Sequence, residues 1–152
     1  MAKKELIVSA LENGTVIDHI DAAQVFRVLQ LLELGQSSET VYLGSNLESK
    51  KLGKKGIIKV ANRFFAPEEV NKVALVSPNA TIIEIKNFEV VNKAKVSLPD
   101  KVKGIVKCMN PNCITNHEVI ETDFTVMQGE GSTKLKCRYC EKFTTGENIA
   151  FK

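Results

Sequence analysis

The feature that most constrains the fold of this chain is a set of two close cysteine pairs in its last third. Cys108 and Cys113 have four residues between them, Cys137 and Cys140 have two, and about two dozen residues separate the pairs. Structural zinc sites are tetrahedral, accept four thiolates at about 2.3 Å, and draw their ligands in pairs from short loops of this kind. The pattern therefore predicts one structural zinc ion per chain, with no open position for a catalytic water.

Three other arrangements of these thiols remain open. Two disulfides are the first, but the chain shows no apolar signal segment, so we expect a cytoplasmic, reducing location in which thiols stay free. A redox Cys-x2-Cys is the second; such motifs lie between a strand and a helix, whereas residues 135–143 predict a tight hairpin. A mixed site in which His117 replaces a cysteine is the third.

The size of the segment explains why a metal matters to it. Residues 98–152 contain few large apolar side chains, and a core of that size rarely supplies more than about 3–5 kcal/mol. Structural zinc contributes an apparent 10–16 kcal/mol in small peptides at neutral pH, on the order of three times as much. The expected core residues are Ile105, Val106, Val119, Ile120, Phe124, Val126, Leu135, Phe143, Ile149 and Phe151.

The charge balance argues against nucleic acid and membranes as partners. Of the 152 residues, 99–152 carry eight Lys and Arg against seven Asp and Glu, and 1–98 carry thirteen against eleven. Neither part has the basic excess of a phosphate-backbone binder. No run approaches the roughly 18 apolar residues of a membrane span. The local cluster Lys50, Lys51, Lys54 and Lys55 is interpreted as a solvated loop between strands.

The first two thirds of the chain predict an α+β domain. Alternating and β-branched runs predict strands at 6–11, 15–20, 40–44, 57–60, 80–85 and 88–91. One helix follows Asp21, with Asp21 and Gln24 as a capping box and Gly35 as the C-terminal left-handed residue, and a second begins at Pro67. This order is the split βαβ of ferredoxin-like folds, an antiparallel sheet with two helices on one face.

A hinge at residues 97–100 divides the chain into predicted domains 1–98 and 99–152. Beyond it, short strands are expected at 104–107, 119–120, 123–126 and 134–136, with a hairpin loop at 128–133. The second part is thus predicted to be a small all-β zinc-binding domain.

Catalytic signatures are absent from the sequence. The run 53–56 lacks the hydroxyl and glycine spacing of a phosphate loop, and no Gly-x-Ser-x-Gly elbow occurs. Asp18 and His19 are adjacent in a predicted strand, so their side chains are expected on opposite faces and cannot easily act on one atom. We therefore expect that the chain is not an enzyme.

Several segments in order resemble the regulatory chain of aspartate carbamoyltransferase. They are residues 14–20, 89–93 and 97–99, the first cysteine loop with Asn110 and Asn112, and residues 135–142, in register from about Leu6 to Lys152. The resemblance implies a non-catalytic allosteric subunit of pyrimidine biosynthesis. Its first domain would bind nucleoside triphosphates (CTP, ATP and UTP), its zinc domain would dock on the catalytic chain, and regulatory chains would pair as homodimers.

The resemblance also implies site residues. The nucleotide pocket would use Val8, Ser9, Ala10, Leu11, Val16, Asp18, His19, Lys59, Ile83, Ile85, Phe88, Val90 and Lys93. Lys59 and Lys93 can meet ribose hydroxyls and phosphates, and His19 can donate to a phosphate. Relatives carry glutamate at the position of Ser9 and asparagine at that of Ile83, so two polar contacts are missing here. The catalytic-chain interface would use Asn110, Asn112, Tyr139, Glu141 and Lys142.

A stand-alone zinc-ribbon protein that binds nucleic acid is the alternative. Cysteine ribbons are common in such proteins, and Lys134, Lys136, Arg138 and Lys142 near the second cysteine pair could touch phosphates. The nearly balanced charge of residues 99–152 counts against it.

Overall fold

The chain folds as two units that divide between Ser97 and Leu98. The structure, a computed structural model, describes residues 11–50, 53–129, 132–145 and 148–151. The predicted strand at 6–11 lies outside the described residues except for Leu11. Among the described residues, no helix has the length and apolarity needed to cross a membrane.

The described part of the first unit is an antiparallel sheet with two short α-helices. Its elements are β1 (Gly14–Asp21), α1 (Val25–Leu31), β2 (Val41–Ser49), β3 (Gly53–Ala61), α2 (Pro67–Asn71), β4 (Thr81–Lys86) and β5 (Glu89–Lys95). The strand order β2-β3-β1-β4-β5 is the ferredoxin-like arrangement with β5 added at one edge. The predicted fold class is confirmed. Short 3-10 turns flank the helices at Ala22–Gln24, Leu34–Gln36 and Lys72–Leu75.

The core of this unit lies on one face of the sheet. Ile17 pairs with Ile58 on one side and with Ile82 on the other, so the three side chains share a face, and all are buried. Helix α1 closes over this face so tightly that a Cβ on Gly56 of β3 would collide with Val25. The residues that alternate with these point to the opposite face, called the uncovered face below because α1 packs on the core side. On this face Val16 and Thr81 are nevertheless buried, and Lys59 and Ile83 are half-buried.

The ends of the first helix differ from the prediction. Asp21 makes no side-chain capping bond, because the chain enters α1 through the 3-10 turn Ala22–Gln24. The left-handed residue is Glu33 (φ 54°), two positions before Gly35, and it turns the chain so that Leu34 is buried. The need to bury Leu34 therefore outweighs the local preference for glycine.

The lysine-rich loop is another correction. β2 runs to Ser49 and β3 begins at Gly53, so Lys54 and Lys55 belong to a strand; Lys51 lies outside the described residues. Both strands are longer than predicted because backbone pairing continues past the apolar run, with Lys55 opposite Leu47.

The second unit is all-β where it is described. Its strands are β6 (Lys101–Lys103), β7 (Val106–Lys107), β8 (Asp123–Gly129), β9 (Ser132–Cys137), β10 (Phe143–Thr145) and β11 (Ala150–Phe151). β10-β9-β8-β6 form one sheet and β11-β7 a second, with a 3-10 turn at Ile114–Asn116. The hairpin expected at 128–133 is tighter than predicted, since Gly129 pairs with Ser132.

Part of the predicted core of this unit is wrong. Val106, Phe124, Leu135 and Ile149 are buried, as expected. Residues 119–120 form no strand: after the 3-10 turn the backbone bends, the amide of Ile120 bonds the carbonyl of Glu118, and Val119 is left fully exposed. Phe143 is also exposed, because it alternates with the inward-facing Thr144 of β10.

Candidate functional site

The four cysteines of the second unit converge on one point. Cys108 follows β7, Cys113 precedes the 3-10 turn, Cys137 ends β9, and Cys140 lies in the turn before β10. Their four Sγ atoms all lie within 4.8 Å of one another, with Cys108 to Cys140 and Cys113 to Cys137 both at 3.7 Å. A tetrahedron with metal–sulfur bonds of about 2.3 Å has edges of about 3.8 Å. The two 3.7 Å separations match that edge, and the 4.8 Å limit keeps all four sulfurs close enough to share one metal ion.

Neighbouring polar groups hold the first cysteine loop in place. The Thr115 hydroxyl donates to Cys113 Sγ at 3.2 Å. Asn116 Nδ2 donates to the carbonyl oxygens of Cys108 and Asn110, at 3.0 and 2.7 Å. Such outer contacts orient ligands and raise metal affinity.

The second loop is a tight turn closed by its own backbone. The Glu141 amide donates to the Cys137 carbonyl at 2.9 Å, and the Cys137 amide donates to the Lys142 carbonyl at 3.0 Å. Glu141 has a left-handed backbone (φ 62°). The turn leads from β9 into β10, as the predicted hairpin requires, and a redox motif between strand and helix is not formed.

The electrostatics of the cluster favour a bound cation. Burial raises the pKa values of the Cys108 and Cys137 thiols. Burial acts in the same direction on Cys140, but the Lys142 backbone amide and the Asn110 side chain outweigh it and lower its pKa to about 7. A metal ion binds the thiolate form and offsets the cost of burying that charge. The four sulfur donors fit a soft or borderline cation.

The other arrangements of the thiols are not those observed. All four cysteines are free, and sulfurs 3.7 Å apart are well beyond the disulfide bond length of about 2.05 Å. His117 Nε2 lies 2.8 Å from the Pro111 carbonyl oxygen and is not part of the ligand group.

The uncovered face of the first sheet carries a second group of polar residues. One row of this face crosses four neighbouring strands. It consists of Lys59 on β3, Val16 on β1, Ile83 on β4 and Lys93 on β5, which lie directly opposite one another. One row further, Asp18 pairs with Thr81 and Thr81 with Lys95. In the other direction, Gly14 pairs with Ile85 and Ile85 with Val90. The face therefore changes from apolar to charged along the strands.

Asp18 is the centre of the charged end. Its Oδ1 accepts from the Lys55 ammonium at 2.8 Å, and the two side chains are only 17% and 20% exposed. Burial by itself would raise the pKa of Asp18, but the Lys55 ammonium and the His19 amide hold it below its ordinary value. Burial lowers the pKa of Lys59, and the Asp18 charge partly counteracts this. The Asp18 carboxylate thus stabilises the charged ammonium groups of Lys55 and Lys59 on this face.

The orientation expected for Asp18 and His19 is wrong. His19 has a left-handed backbone (φ 55°) within a register shift between Ile17 and Ile20, which is a β-bulge. The bulge removes the strict alternation, so His19 Nδ1 lies 3.9 Å from Asp18 Oδ2 and 3.4 Å from the Thr81 hydroxyl. The side chains of Asp18 and His19 therefore lie together at the charged end of the face.

The apolar end is bounded by the turn between β4 and β5. Asn87 and Phe88 both have left-handed backbones (φ 53° and 65°), the two-residue hairpin geometry that glycine usually fills. The amide of Phe88 donates to the Glu12 carbonyl at 2.9 Å, yet its ring is 67% exposed. A large aromatic ring is thus held in solvent, in an unfavourable backbone conformation, beside the apolar row.

Comparison with known proteins gives the family of the chain. The model of the allosteric domain of the aspartate carbamoyltransferase regulatory chain matches residues 6–97, and that of its metal-binding domain matches residues 100–150. The chain belongs to the family of aspartate carbamoyltransferase regulatory chains. It is therefore a non-catalytic regulatory subunit, as the sequence indicated, and the family implies the catalytic chain as its partner.

Similar regulatory chains occur in distant organisms. The aspartate carbamoyltransferase regulatory chain of Phocaeicola vulgatus is 51% identical over 147 residues, covering 97% of this chain and 94% of that protein. That of Parabacteroides distasonis is 47% identical over 150 residues, covering 99% and 97%. That of Pyrococcus abyssi is 50% identical over 147 residues, covering 95% and 96%. The similarity thus spans both units.

The structure brings most of the implied nucleotide residues to the uncovered face of the regulatory chain's allosteric domain. Val16, Lys59, Ile83, Lys93 and the neighbouring rows have been described above, and Leu11 is buried. Val8, Ser9 and Ala10 lie outside the described residues. Sequence reasoning missed Lys55, Thr81 and Lys95. The two-residue spacing from Lys93 could have indicated Lys95, and the spacing from Ile83 could have indicated Thr81.

The implied interface residues lie in the two cysteine loops or directly after the second one. Asn110 Oδ1 accepts from the Asn112 amide at 3.1 Å, so this side chain has a structural role in the first loop. Asn112, Tyr139, Glu141 and Lys142 are exposed. The two loops lie side by side, since Cys108 Sγ of the first is 3.7 Å from Cys140 Sγ of the second.

Proposed function

We propose that this regulatory chain binds nucleoside triphosphates on the uncovered face of its allosteric domain and passes the effect to the catalytic chain through its metal-binding domain. The observation that carries the proposal is the row Lys59, Val16, Ile83 and Lys93, because it sets two ammonium groups on either side of an apolar strip. A nucleotide needs both: apolar contact for the base and cations for the phosphates.

The change in polarity along the strands suggests an orientation. The base would lie at the end formed by Ile85, Val90 and the exposed ring of Phe88. The triphosphate would lie near His19 and Lys95. Four residue steps along β4 lead from the Thr81 row to the Ile85 row, a distance of roughly 13 Å. Lys59 and Lys93, in the row between them, would then contact the ribose and the first phosphates of every nucleotide.

The metal and the partner complete the proposal. The metal is zinc, one ion per chain, since four thiolates at tetrahedral spacing are its usual structural site. Asn112, Tyr139, Glu141 and Lys142 dock on the catalytic chain, and regulatory chains pair as homodimers. The chain acts in the cytoplasm, where free thiols persist, and has no nucleic-acid partner.

Regulation also requires a difference in affinity. A nucleotide that binds two quaternary states equally shifts neither of them. The proposal therefore holds that CTP and ATP bind the regulatory chain with affinities that change when the catalytic chain is bound. Ile83, between Val16 and Lys93 in the middle row, would offer the base only apolar contact.

Calorimetric titration of the full, zinc-loaded chain tests the proposal. CTP and ATP are added with the catalytic chain absent, present, and present with a substrate analogue. We expect saturable binding of both nucleotides, altered by the partner and its analogue. Lys59→Met should weaken binding of both, whereas Lys72→Met, a lysine of the 3-10 turn beside α2, should not. Failure of both nucleotides to bind in every setting would contradict the proposal.

A further inference from the structure

The four-stranded sheet of the metal-binding domain has one buried face and one charged face. Phe124, Leu135, Cys137, Thr144 and Val102 alternate inward and are buried. The residues between them point outward. The outward side chains of Lys101, Thr125 and Lys136 are exposed.

Cross-strand pairing collects the cations of the domain on the outward face. One row crosses all four strands and consists of Lys101 on β6, Thr125 on β8, Lys136 on β9 and Phe143 on β10, which lie opposite one another. A second row contains Lys103, Asp123 and Arg138, and a third contains Met127, Lys134 and Thr145. The cations of this face, called the basic face below, are Lys101, Lys103, Lys134, Lys136 and Arg138.

The basic face is strongly asymmetric in charge. It holds five of the eight Lys and Arg of residues 99–152 but, among its described residues, one of the seven Asp and Glu. That carboxylate, Asp123, is buried and paired with Arg138 at 3.4 Å. The net charge of the face is therefore about +4, although the domain as a whole is nearly neutral.

These charges are close enough to act together. Neighbouring strands are about 4.8 Å apart and alternate residues about 6.7 Å apart, so the three rows occupy roughly 14 Å by 13 Å. Most neighbouring cations are then within a Debye length, about 8 Å at physiological salt, and their repulsion is not screened away. An acidic surface laid on the face would remove that repulsion.

We propose that the basic face steers the regulatory chain onto an acidic surface of the catalytic chain. The proposal rests on the proposed function, and it adds a surface that continues from the second cysteine loop, which it meets at Arg138. Charges at the rim of an interface act chiefly on the rate of association and its salt dependence, and less on the rate of dissociation. The basic face should therefore speed assembly, while the cysteine loops hold the complex.

The geometry favours a protein surface over nucleic acid. Residues 99–152 carry eight Lys and Arg against seven Asp and Glu, so the domain as a whole lacks the basic excess of a phosphate-backbone binder. The only aromatic ring on the face, among the described residues, is Phe143, and the Lys134 ammonium lies over one side of it at 5.9 Å; binding to single strands typically uses several stacking rings. Phe143 and Met127, 43% and 46% exposed, instead offer apolar contacts of the kind found at protein interfaces.

Stopped-flow association of the full, zinc-loaded chain with the catalytic chain tests the proposal. The variants are Lys136→Glu and the double variant Lys134→Glu/Lys136→Glu, with Lys107→Glu as the matched control, since Lys107 is an exposed strand lysine outside the basic face. At 50 mM salt we expect the double variant to associate at least about tenfold more slowly and to dissociate within about twofold of the wild-type rate. At 500 mM salt the difference should shrink below about threefold.

The outcomes are separable. Metal content confirms folding of each variant, and Lys134→Gln/Lys136→Gln should give an intermediate rate. Equal rates and salt slopes for wild type and variants, or an equal loss in Lys107→Glu, would overturn this proposal alone. A wild-type chain that never binds the catalytic chain would overturn the proposed function with it. The wild-type chain could instead bind a 20-base-pair DNA duplex with a Kd below about 100 μM at 150 mM salt, and the double variant could lose this binding. That result would overturn the proposal and show that the basic face binds nucleic-acid phosphates.

Discussion

Cys113→Ala should detach the metal-binding domain from its metal and from the catalytic chain. If four ligands share the roughly 10–16 kcal/mol of structural zinc, each accounts for about 2.5–4 kcal/mol, or roughly 10²–10³-fold in metal affinity. That loss is as large as the roughly 3–5 kcal/mol that a core of this size supplies. Cys113 is buried, so the substitution also leaves the Thr115 hydroxyl without its acceptor, which costs about another 1 kcal/mol.

The assay combines chelator competition with nuclear magnetic resonance of the full chain. We expect metal release at a chelator concentration that leaves the wild type loaded, loss of the dispersed resonances of residues 98–152, and loss of association with the catalytic chain. Nucleotide binding by the first unit should persist, because the two units have separate cores.

His117→Ala is the matched control for this substitution. His117 lies in the same loop, but its ring contacts the Pro111 carbonyl and no sulfur of the cluster. We expect the variant to keep the metal within about tenfold of wild-type affinity. Near-wild-type metal affinity or intact association in Cys113→Ala would refute the view that the metal holds this domain together.

Three further predictions concern the first unit. Lys93→Ala should weaken the binding of CTP and of ATP by a similar factor, about tenfold each, because its ammonium group would contact the phosphates and ribose that both share. Titration calorimetry that shows an effect on one nucleotide alone would contradict this. Asp18→Asn should lower stability by about 1 kcal/mol near neutral pH through loss of the Lys55 pair. The folded pKa of Asp18 lies below the unfolded value of about 3.8, so the stability difference between wild type and variant should be present above pH 4 and fade as the pH falls through the folded pKa. Urea unfolding of both proteins from pH 6 to pH 2.5 measures this difference. A difference that stays constant over that range would refute the pairing. Ile83→Asn should place an amide beside the base and change the ratio of CTP to ATP affinity at least about threefold. An unchanged ratio would show that this position does not read the base.

Much of the fold could be predicted because its signals are local. Alternating apolar residues marked the strands, and the order of strands and helices admitted the ferredoxin-like topology. The failures occurred where contacts distant in sequence prevailed. Leu34 had to reach the core, so the chain turned at Glu33 and not at Gly35. Pairing with β2 extends β3 to Gly53, so that it includes Lys54 and Lys55, which the sequence alone predicts to lie in a loop.

The candidate sites show the same division. The bulge at His19 decides that Asp18 and His19 act on the same end of the sheet, and strict alternation predicted the opposite. Lys55 was assigned to a loop, because nothing within its segment indicates that it reaches Asp18. The basic face was visible only in part, as lysines near the second cysteine pair, since Lys101 and Lys103 join it through β6.

The sequence by itself determined the metal centre and the family. Ligand type and spacing are set within two short loops, and a metal ion needs little more than four donors close together, so the four cysteines sufficed. The tertiary structure alone decided the rows on the two sheets, such as Lys59 to Lys93 and Lys101 to Lys136. Those rows depend on strand register, and register is set when strands distant in sequence bury their apolar faces together.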